Sequence, residues 1–318
     1  MSRVTDLLRC ELPIQLAPMG SASASPALAL AVAGAGGHAV YPGLGLPPQA
    51  LEPVVEALAG ATRAFGVNFI VAMMDRGSLE LVAERAPYVD FFLDEPDEAL
   101  VDRVHQGGAV CGWQVETAEE ARAAEAAGCD LVIAKGWESG GRKRVSGPAL
   151  LPLLDACLRA VDVPVLASGG IATRRGVAAA FAAGAGGVRV GTRFVASAES
   201  DAHPVWKAAI VAAAAEDAVV SDAFNVGMPV AGPHRVLRTS IAAAERLTAG
   251  EAPIGVVRLA GAEIPVPRFA PMPPTATSTG AVEAMAHYAG QSAGAIDAVE
   301  PVAAIMAELR AGLPPAGG

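Results

Sequence analysis

Short apolar runs alternate along the first 192 residues with segments whose apolar positions recur at helical spacing. The runs are three to seven residues long and rich in valine, isoleucine, leucine and alanine, which is typical of strands buried on both faces. They predict eight strands, at residues 13–19, 38–41, 64–70, 89–93, 109–115, 131–135, 163–168 and 188–190. Helix starts between them are marked by the capping box TAEE at Thr117 and by the N-cap candidate Thr173.

The alternation of strands and helices decides the fold class. Strands separated by helices pair in parallel, and eight such units in about 190 residues fit a closed (β/α)8 TIM barrel of the α/β class. A dinucleotide-binding sheet is disfavoured, because no GxGxxG turn follows the first strand with an acidic residue about 20 positions later. We expect this barrel over residues 1–200. Over residues 201–318 we expect a small appended lobe, mostly helical, whose C-terminal helices pack on the barrel.

The stretch from residue 163 to residue 192, VPVLASGGIATRRGVAAAFAAGAGGVRVGT, reads as strand, glycine turn, helix, glycine turn and strand. Gly169 and Gly170 let the backbone turn sharply and approach a ligand closely, and Gly191 with Thr192 forms a second small turn. Backbone N–H groups at two neighbouring strand ends, together with a helix N-terminus, can bind a phosphate. The same glycines would also serve as tight turns in an alanine-rich protein.

Composition narrows the classes of protein further. The net charge is −10 and basic clusters are absent from the sequence, which argues against a nucleic-acid partner. The 53% of hydrophobic residues contain no uninterrupted run that could cross a bilayer, and no secretory signal is visible. The four cysteines lack metal-ligand spacing. We therefore expect a cytoplasmic protein without a metal or membrane partner, with a homodimer as a candidate assembly.

The predicted strand ends carry amides, small residues and one lysine, among them Met19, Asn68, Gln114 and Lys135. Active sites of TIM barrels collect at the C-terminal ends of the strands. These strand ends contain neither a metal-binding cluster nor a Ser-His-Asp set. Such a site suits a flat polar cofactor with a phosphate tail better than a hydrolytic mechanism.

Several motifs together resemble a known family. PIQLAPM, FGVNFI, AEAAGCDLVIAKGWESGG, PVLASGGIATRRGVAAAFAAGAGGVRVGTRF, ESDAHP and HYAGQSAG occur in the order seen in nitronate monooxygenases, formerly called 2-nitropropane dioxygenases. The resemblance covers nearly the whole chain. It implies a TIM barrel with an added lobe and a non-covalently bound FMN. With the glycine turns, it gives as cofactor-binding candidates Met19, Asn68, Gln114, Lys135, Gly140, Gly169, Gly170, Arg189, Val190, Gly191 and Thr192.

The chain departs from the family pattern at one position. Nitronate monooxygenases typically carry a histidine as catalytic base in a run like EAGGH, whereas this chain reads Glu138-Ser139-Gly140-Gly141-Arg142. Arginine cannot accept a proton near neutral pH, although Arg142 could hold a charged nitro group. The catalytic candidates are therefore Arg142 as the anion clamp, and Glu138 or His287, which opens the HYAGQSAG motif, as acid or base.

Taken together, the motifs predict an FMN-dependent oxidoreductase that oxidises a nitronate or related small nitro compound with O2 to a carbonyl compound and nitrite. Two alternatives stay open at this point. One is an NAD(P)H-dependent flavin reductase of the enoyl-thioester reductase type, since flavin-barrel relatives in fatty-acid and polyketide synthesis are similar in fold. The other is a non-catalytic barrel, for which the missing histidine is the only indication.

Overall fold

The computed structural model describes residues 3–23, 25–228, 231–248, 250, 252–259 and 262–315. Its largest element is a closed barrel of eight parallel strands. Their bounds are Ile14–Leu16, His38–Pro42, Phe65–Ile70, Tyr88–Phe92, Val110–Val115, Leu131–Lys135, Val165–Ser168 and Gly187–Val190. All eight strands that the sequence predicts are present in the predicted order, which confirms the (β/α)8 barrel.

Helices follow the strands and cover the outside of the barrel. In chain order, the α-helices of the described residues are Arg3–Leu8, Ala27–Gly34, Pro48–Ala61, Arg76–Arg85, Glu98–Gln106, Ala118–Ala126, Leu150–Leu158, Arg174–Ala182, Thr192–Val195, Pro204–Val211, Arg238–Arg246 and Val302–Arg310. Thr117 and Thr173 cap their helices as predicted, because their hydroxyl groups accept hydrogen bonds from the N–H groups of Glu120 and Gly176. The main apolar core lies between these helices and the strands.

The interior of the barrel contains a buried polar network. Arg189 projects inward and forms an ion pair with Asp90, and both side chains are fully buried. The Arg189 guanidinium also donates to the Gln15 side chain at 2.6 Å and to the Tyr88 hydroxyl at 3.3 Å. His38 lies beside Gln15, with Nδ1 3.0 Å from the amide nitrogen. Nearly every polar group of this network therefore has a partner inside the protein.

The second part of the chain adds two small antiparallel sheets above the barrel. One contains Gly141–Arg142, Ala218–Ser221 and His234–Leu237, and the other contains Gly255–Leu259, Ala262–Val266 and Thr279–Gly280. The two-residue strand Gly141–Arg142 lies in the long loop that leaves the barrel strand Leu131–Lys135. Backbone pairing with His234–Leu237 therefore ties this barrel loop to the second part of the chain.

The last helix, Val302–Arg310, returns to the barrel wall, where Val302, Ile305, Met306 and Leu309 join the main core. A division of the chain at residue 200 stays a prediction, as do the homodimer and the cytoplasmic location. Among the described residues, no helix combines the length and the apolar character that crossing a membrane requires.

Candidate active site

A cavity of about 580 Å³ opens at the C-terminal ends of the barrel strands. Its floor and sides come from these strands and the loops after them, and its roof comes from three segments near residues 226–228, 267–273 and 288–292. Eleven of the residues that the sequence predicts for the site line it: Met19, Asn68, Gln114, Lys135, Gly140, Arg142, Gly169, Gly170, Arg189, Gly191 and Thr192. Glu138, Val190 and His287 do not line it.

The two glycine turns lie side by side at one end of the cavity. Gly169 and Gly170 have φ angles of 105° and 72°, a backbone conformation that favours glycine. Within the described residues, the backbone N–H groups of Gly170 and Gly191 donate to no carbonyl or side chain. Unpaired N–H groups at adjacent strand ends, one of them before the helix Arg174–Ala182, are suited to a phosphate group.

Two residues that the resemblance places around the phosphate have other roles in the structure. The Arg189 guanidinium reaches the cavity only at its floor and is held by Asp90 inside the barrel. Val190 follows on the opposite face of the strand, where its side chain packs in the core between strands and helices. The backbone of Val190 can still border a ligand, but neither side chain is free to bind a phosphate.

Lys135 is a buried cation in the cavity wall. Its ammonium group pairs with the Glu116 carboxylate at 2.9 Å, contacts the carbonyl oxygen of Arg142 and lies 4.3 Å from the centre of the Phe92 ring. Burial lowers the pKa of Lys135, and the neighbouring Glu116 partly offsets this effect. Lys135 therefore brings positive charge to the cavity and at the same time anchors the loop that carries Arg142.

Glu138 does not line the cavity, and its carboxylate is bonded within that loop, so its acid–base role stays a prediction that this geometry does not support. Both of its carboxylate oxygens accept the N–H of Leu150, at 3.1 and 2.9 Å, and its carbonyl oxygen accepts the N–H of Gln291. Gly140 follows, and a Cβ atom there would lie 2.7 Å from the backbone nitrogen of Gly290. The glycine pair therefore allows the loop and the roof to pack backbone against backbone.

His287 also does not line the cavity, so its catalytic role stays a prediction that this geometry does not support. Its ring is buried, stacks 6.2 Å from Trp206 and has Nε2 3.0 Å from the carbonyl oxygen of Val282. Burial lowers the pKa of His287 to about 4. The stacking and the hydrogen bond indicate that the ring holds the roof together.

Arg142 remains the predicted catalytic residue that reaches the cavity. Its Nη2 atom donates to the carbonyl oxygen of Ala231 at 3.1 Å. Its Nε and Nη1 atoms are buried and have no hydrogen-bond partner among the described residues. Burial lowers the pKa of Arg142, although arginine remains charged near neutral pH. Because Arg142 lines the cavity and makes one hydrogen bond among the described residues, its guanidinium can hold an anion that binds there.

His234 is a titratable cavity residue that the sequence motifs do not single out. It opens the strand His234–Leu237 and pairs directly with Arg142 across the antiparallel ladder. Burial and the nearby Arg142 lower the pKa of His234 to about 4, so the ring is neutral at pH 7. The short run HRVL, two polar residues followed by two apolar ones, is a weak signal for such a strand and does not identify the partner strand.

The chain matches the nitronate monooxygenase family model over residues 46–312. One curated relative is the (3aS,4S,5R,7aS)-5-hydroxy-7a-methyl-1-oxo-octahydro-1H-indene-4-carboxyl-CoA dehydrogenase of Mycobacterium tuberculosis, 32% identical over 78% of this chain and 68% of the relative. Another is a probable nitronate monooxygenase of Staphylococcus saprophyticus, 31% identical over 58% of this chain and 56% of the relative.

Two solved structures resemble the whole chain. FabK from Thermotoga maritima superposes with a TM-score of 0.77 and 33% identity, over 98% of this chain and 96% of that protein. A nitroalkane oxidase from Streptomyces ansochromogenes superposes with a TM-score of 0.74 and 28% identity, over 97% of both chains. The likeness therefore includes the roof segments as well as the barrel.

Proposed function

The chain belongs to the nitronate monooxygenase family and is a flavin-dependent oxidoreductase, and from this membership we propose that it oxidises a nitronate or related small nitro anion with O2 to a carbonyl compound and nitrite. The observation that carries the proposal is the Arg142 guanidinium, which lines the cavity and makes one hydrogen bond among the described residues. The two oxygens of a nitronate match the two-pronged donor geometry of arginine.

The cavity fits FMN as the flavin. Its volume lies in the range of small-molecule and cofactor sites, and the unpaired N–H groups of Gly170 and Gly191 are available to a phosphate tail. Asn68, Gln114 and Lys135 would border the ring system, where the Lys135 charge favours negative charge on a reduced flavin. When bound, FMN supplies the redox chemistry, since it takes electrons from the substrate and passes them to O2.

The protein residues position the substrate and exclude water. Arg142 holds the anionic end of the substrate, and its loop is fixed by Glu138, Lys135 and the pairing with His234. The roof segments close the cavity from above. This arrangement strengthens the interaction of Arg142 with an anion, because charge–charge interactions are stronger where water is excluded.

The proposal is tested with propyl-2-nitronate, by measuring oxygen consumption and nitrite release. Replacement Arg142→Met removes the anion site at similar side-chain length, and kcat/KM should fall by about 100-fold or more, the usual effect of removing a charged group that binds the reacting oxygens. Arg122→Met, at an exposed helix position, is the matched control and should be unchanged. An active Arg142→Met enzyme would contradict the assignment.

The cofactor is tested separately from the reaction. The protein is purified, denatured and its released flavin identified by mass spectrometry. We expect FMN, because the paired glycine turns accommodate a single terminal phosphate group. Release of FAD alone would contradict the cofactor assignment and leave the role of Arg142 open to the kinetic test.

A second candidate is oxidoreduction of an acyl thioester, with NAD(P)H as the electron donor for the flavin. The observation that favours it is the apolar outer part of the cavity, which includes Leu44, Met73, Met228 and Met272 and suits a bulky substrate. The relative from Mycobacterium tuberculosis carries a ring system and a CoA ester in its substrate name. NAD(P)H consumption with an enoyl thioester, without oxygen uptake on a nitronate, would favour this candidate.

A further inference from the structure

An arginine and a histidine lie next to each other in the cavity wall. Arg142 and His234 occupy directly paired positions of two antiparallel strands, so their side chains project from the same face of the small sheet. Both line the cavity. A cation and a neutral imidazole that meet the same ligand form the two parts needed to remove a proton and stabilise the resulting anion.

The ring of His234 has one nitrogen available to a ligand. Its Nδ1 atom is enclosed by protein and has no hydrogen-bond partner among the described residues, and His234 as a whole is 3% exposed. Since the residue lines the cavity, Nε2 is the nitrogen that can meet a bound molecule.

The other titratable groups of the cavity wall are unsuited to accept a proton. Among the described residues that line the cavity, these groups are Lys135, Arg142, Arg189 and Tyr288, and no carboxylate is present. Arg189 is paired with Asp90, Lys135 with Glu116, and the Tyr288 hydroxyl donates to the carbonyl oxygen of Pro271. His234 is therefore the neutral base of this wall.

We propose that His234 accepts a proton from the carbon next to the nitro group of a neutral nitroalkane held at Arg142. The C–H bond breaks, its electron pair moves onto the nitro group to give the nitronate, and the proton goes to Nε2. No oxidation occurs in this step. The inference rests on the proposed function, because it uses the same cavity and anion site, and it widens the substrate class from the preformed anion to the neutral carbon acid.

The charges around His234 agree with a role of Arg142 as the anion site and of His234 as the proton acceptor. Arg142 and Lys135 lower the pKa of His234, whereas Asp222 and the backbone of Gly232 act in the opposite direction. Tyr288 is the ring packed against it, at 5.5 Å. The free base is therefore neutral at pH 7 and ready to accept a proton. As the nitronate forms, its negative charge beside Arg142 offsets the effect of the Arg142 charge on His234. The pKa of His234 therefore rises during the step, and the imidazole becomes a stronger base.

The test measures removal of the α proton under conditions in which no oxidation occurs. Nitroethane deuterated at the α carbon is incubated anaerobically with the purified holoenzyme, and exchange of the deuterons for solvent protons is followed by NMR. The wild-type protein should accelerate exchange clearly above the buffer rate. His234→Gln should lower the enzymatic part by about 100-fold or more, as expected for loss of a general base. Arg142→Met should also lower it, whereas the surface variant His105→Gln should not.

A second measurement separates a base from a structural histidine. Preformed ethyl nitronate needs no proton removal, so His234→Gln should oxidise it, in the presence of O2, within about threefold of the wild-type kcat/KM. His234→Asn serves as an independent variant should the glutamine side chain disturb the sheet. Equal loss of exchange and of nitronate oxidation in both variants would overturn the inference, as would a wild-type enzyme that exchanges no deuterium.

The two proposals fail in different ways. Catalysed exchange that depends on His234, without oxygen consumption on the nitronate, would disprove the proposed oxidation and support the role of His234. Nitronate oxidation without catalysed exchange would support the proposed function and overturn the role of His234.

Discussion

Two arginines, Arg189 inside the barrel and Arg142 in the cavity wall, occupy opposite situations in this protein. Inside the barrel, Arg189 is fully buried and bonded to Asp90, Gln15 and Tyr88. In the cavity wall, Arg142 makes one hydrogen bond among the described residues, to Ala231, and two of its donor atoms have no partner there. A buried charge whose donors are satisfied within the protein stabilises the architecture, whereas one with free donors is suited to a ligand. The comparison therefore separates structural from functional polar groups.

The largest effect should follow from breaking the satisfied pair. Arg189→Met leaves Asp90 buried without its countercharge, and the free energy of unfolding should fall by about 3–5 kcal/mol. Urea denaturation followed by circular dichroism measures the loss. The double variant Arg189→Met with Asp90→Leu removes both charges and should recover part of it. A single variant as stable as the wild type would contradict the structural role of the pair.

The buried histidines should make stability depend on pH. Burial lowers the pKa of His38 to about 3 and of His287 to about 4, so both rings stay neutral in the folded protein while the unfolded chain takes up protons near pH 6.5. Stability is therefore complete above about pH 6.5 and is lost as the pH falls toward 4. For each of these two histidines, the free energy of unfolding should be about 2 kcal/mol lower at pH 5 than at pH 7.5.

Urea denaturation at pH 7.5 and pH 5 measures this dependence. His287→Gln should reduce the difference between the two values, and His105→Gln, at a surface histidine, should not. If the free energy of unfolding of His287→Gln differs between pH 7.5 and pH 5 by as much as that of the wild type, the contribution of His287 to the pH dependence is disproved.

A smaller effect should follow where the barrel loop meets the roof. A Cβ atom at Gly290 would lie 2.8 Å from the Glu138 carbonyl oxygen, so Gly290→Ala should force the two backbones apart and cost about 1–2 kcal/mol. Its backbone φ of −86° is open to alanine, so the cost reports packing alone. Gly60→Ala, where nothing lies near the added atom, is the control and should be neutral or stabilising. The melting temperatures of both variants, measured by thermal unfolding, test this expectation. A Gly290→Ala protein that melts at the temperature of the Gly60→Ala control would contradict it.

The smallest effect on stability should come from the arginine with free donors. Arg142→Met removes one hydrogen bond and two unsatisfied donors, so the free energy of unfolding should stay within about 0.5 kcal/mol of the wild-type value. The same urea titration compares this variant directly with Arg189→Met. A loss as large as that of Arg189→Met would show that Arg142 is also a structural residue.

The sequence was sufficient for the barrel because every strand was a local apolar run between helix signals. The strand Leu131–Lys135 was predicted to the residue, and the glycine turns at Gly169–Gly170 identified one end of the cavity correctly. These features depend on neighbouring residues in the chain, which is the information that periodicity and turn chemistry contain.

The directions and partners of polar side chains were not predictable in the same way. Alternation in GVRV shows that Arg189 and Val190 face opposite sides, but pairing of Arg189 with Asp90 requires the closed barrel. The position of His234 beside Arg142 depends on a ladder between residues far apart in the chain. The partners of Glu138 and His287, Leu150 and Trp206, likewise come from other elements. Non-local contacts decided each of these cases.

The pairing of Arg142 with His234 has a consequence for how such cavities diverge between proteins. Two positions that face each other across a ladder border the same space, so an imidazole can be supplied from either strand. A histidine in place of Arg142 would therefore border the same bound molecule as His234, from the opposite strand. The arginine at position 142 by itself gives no measure of whether an imidazole borders the cavity.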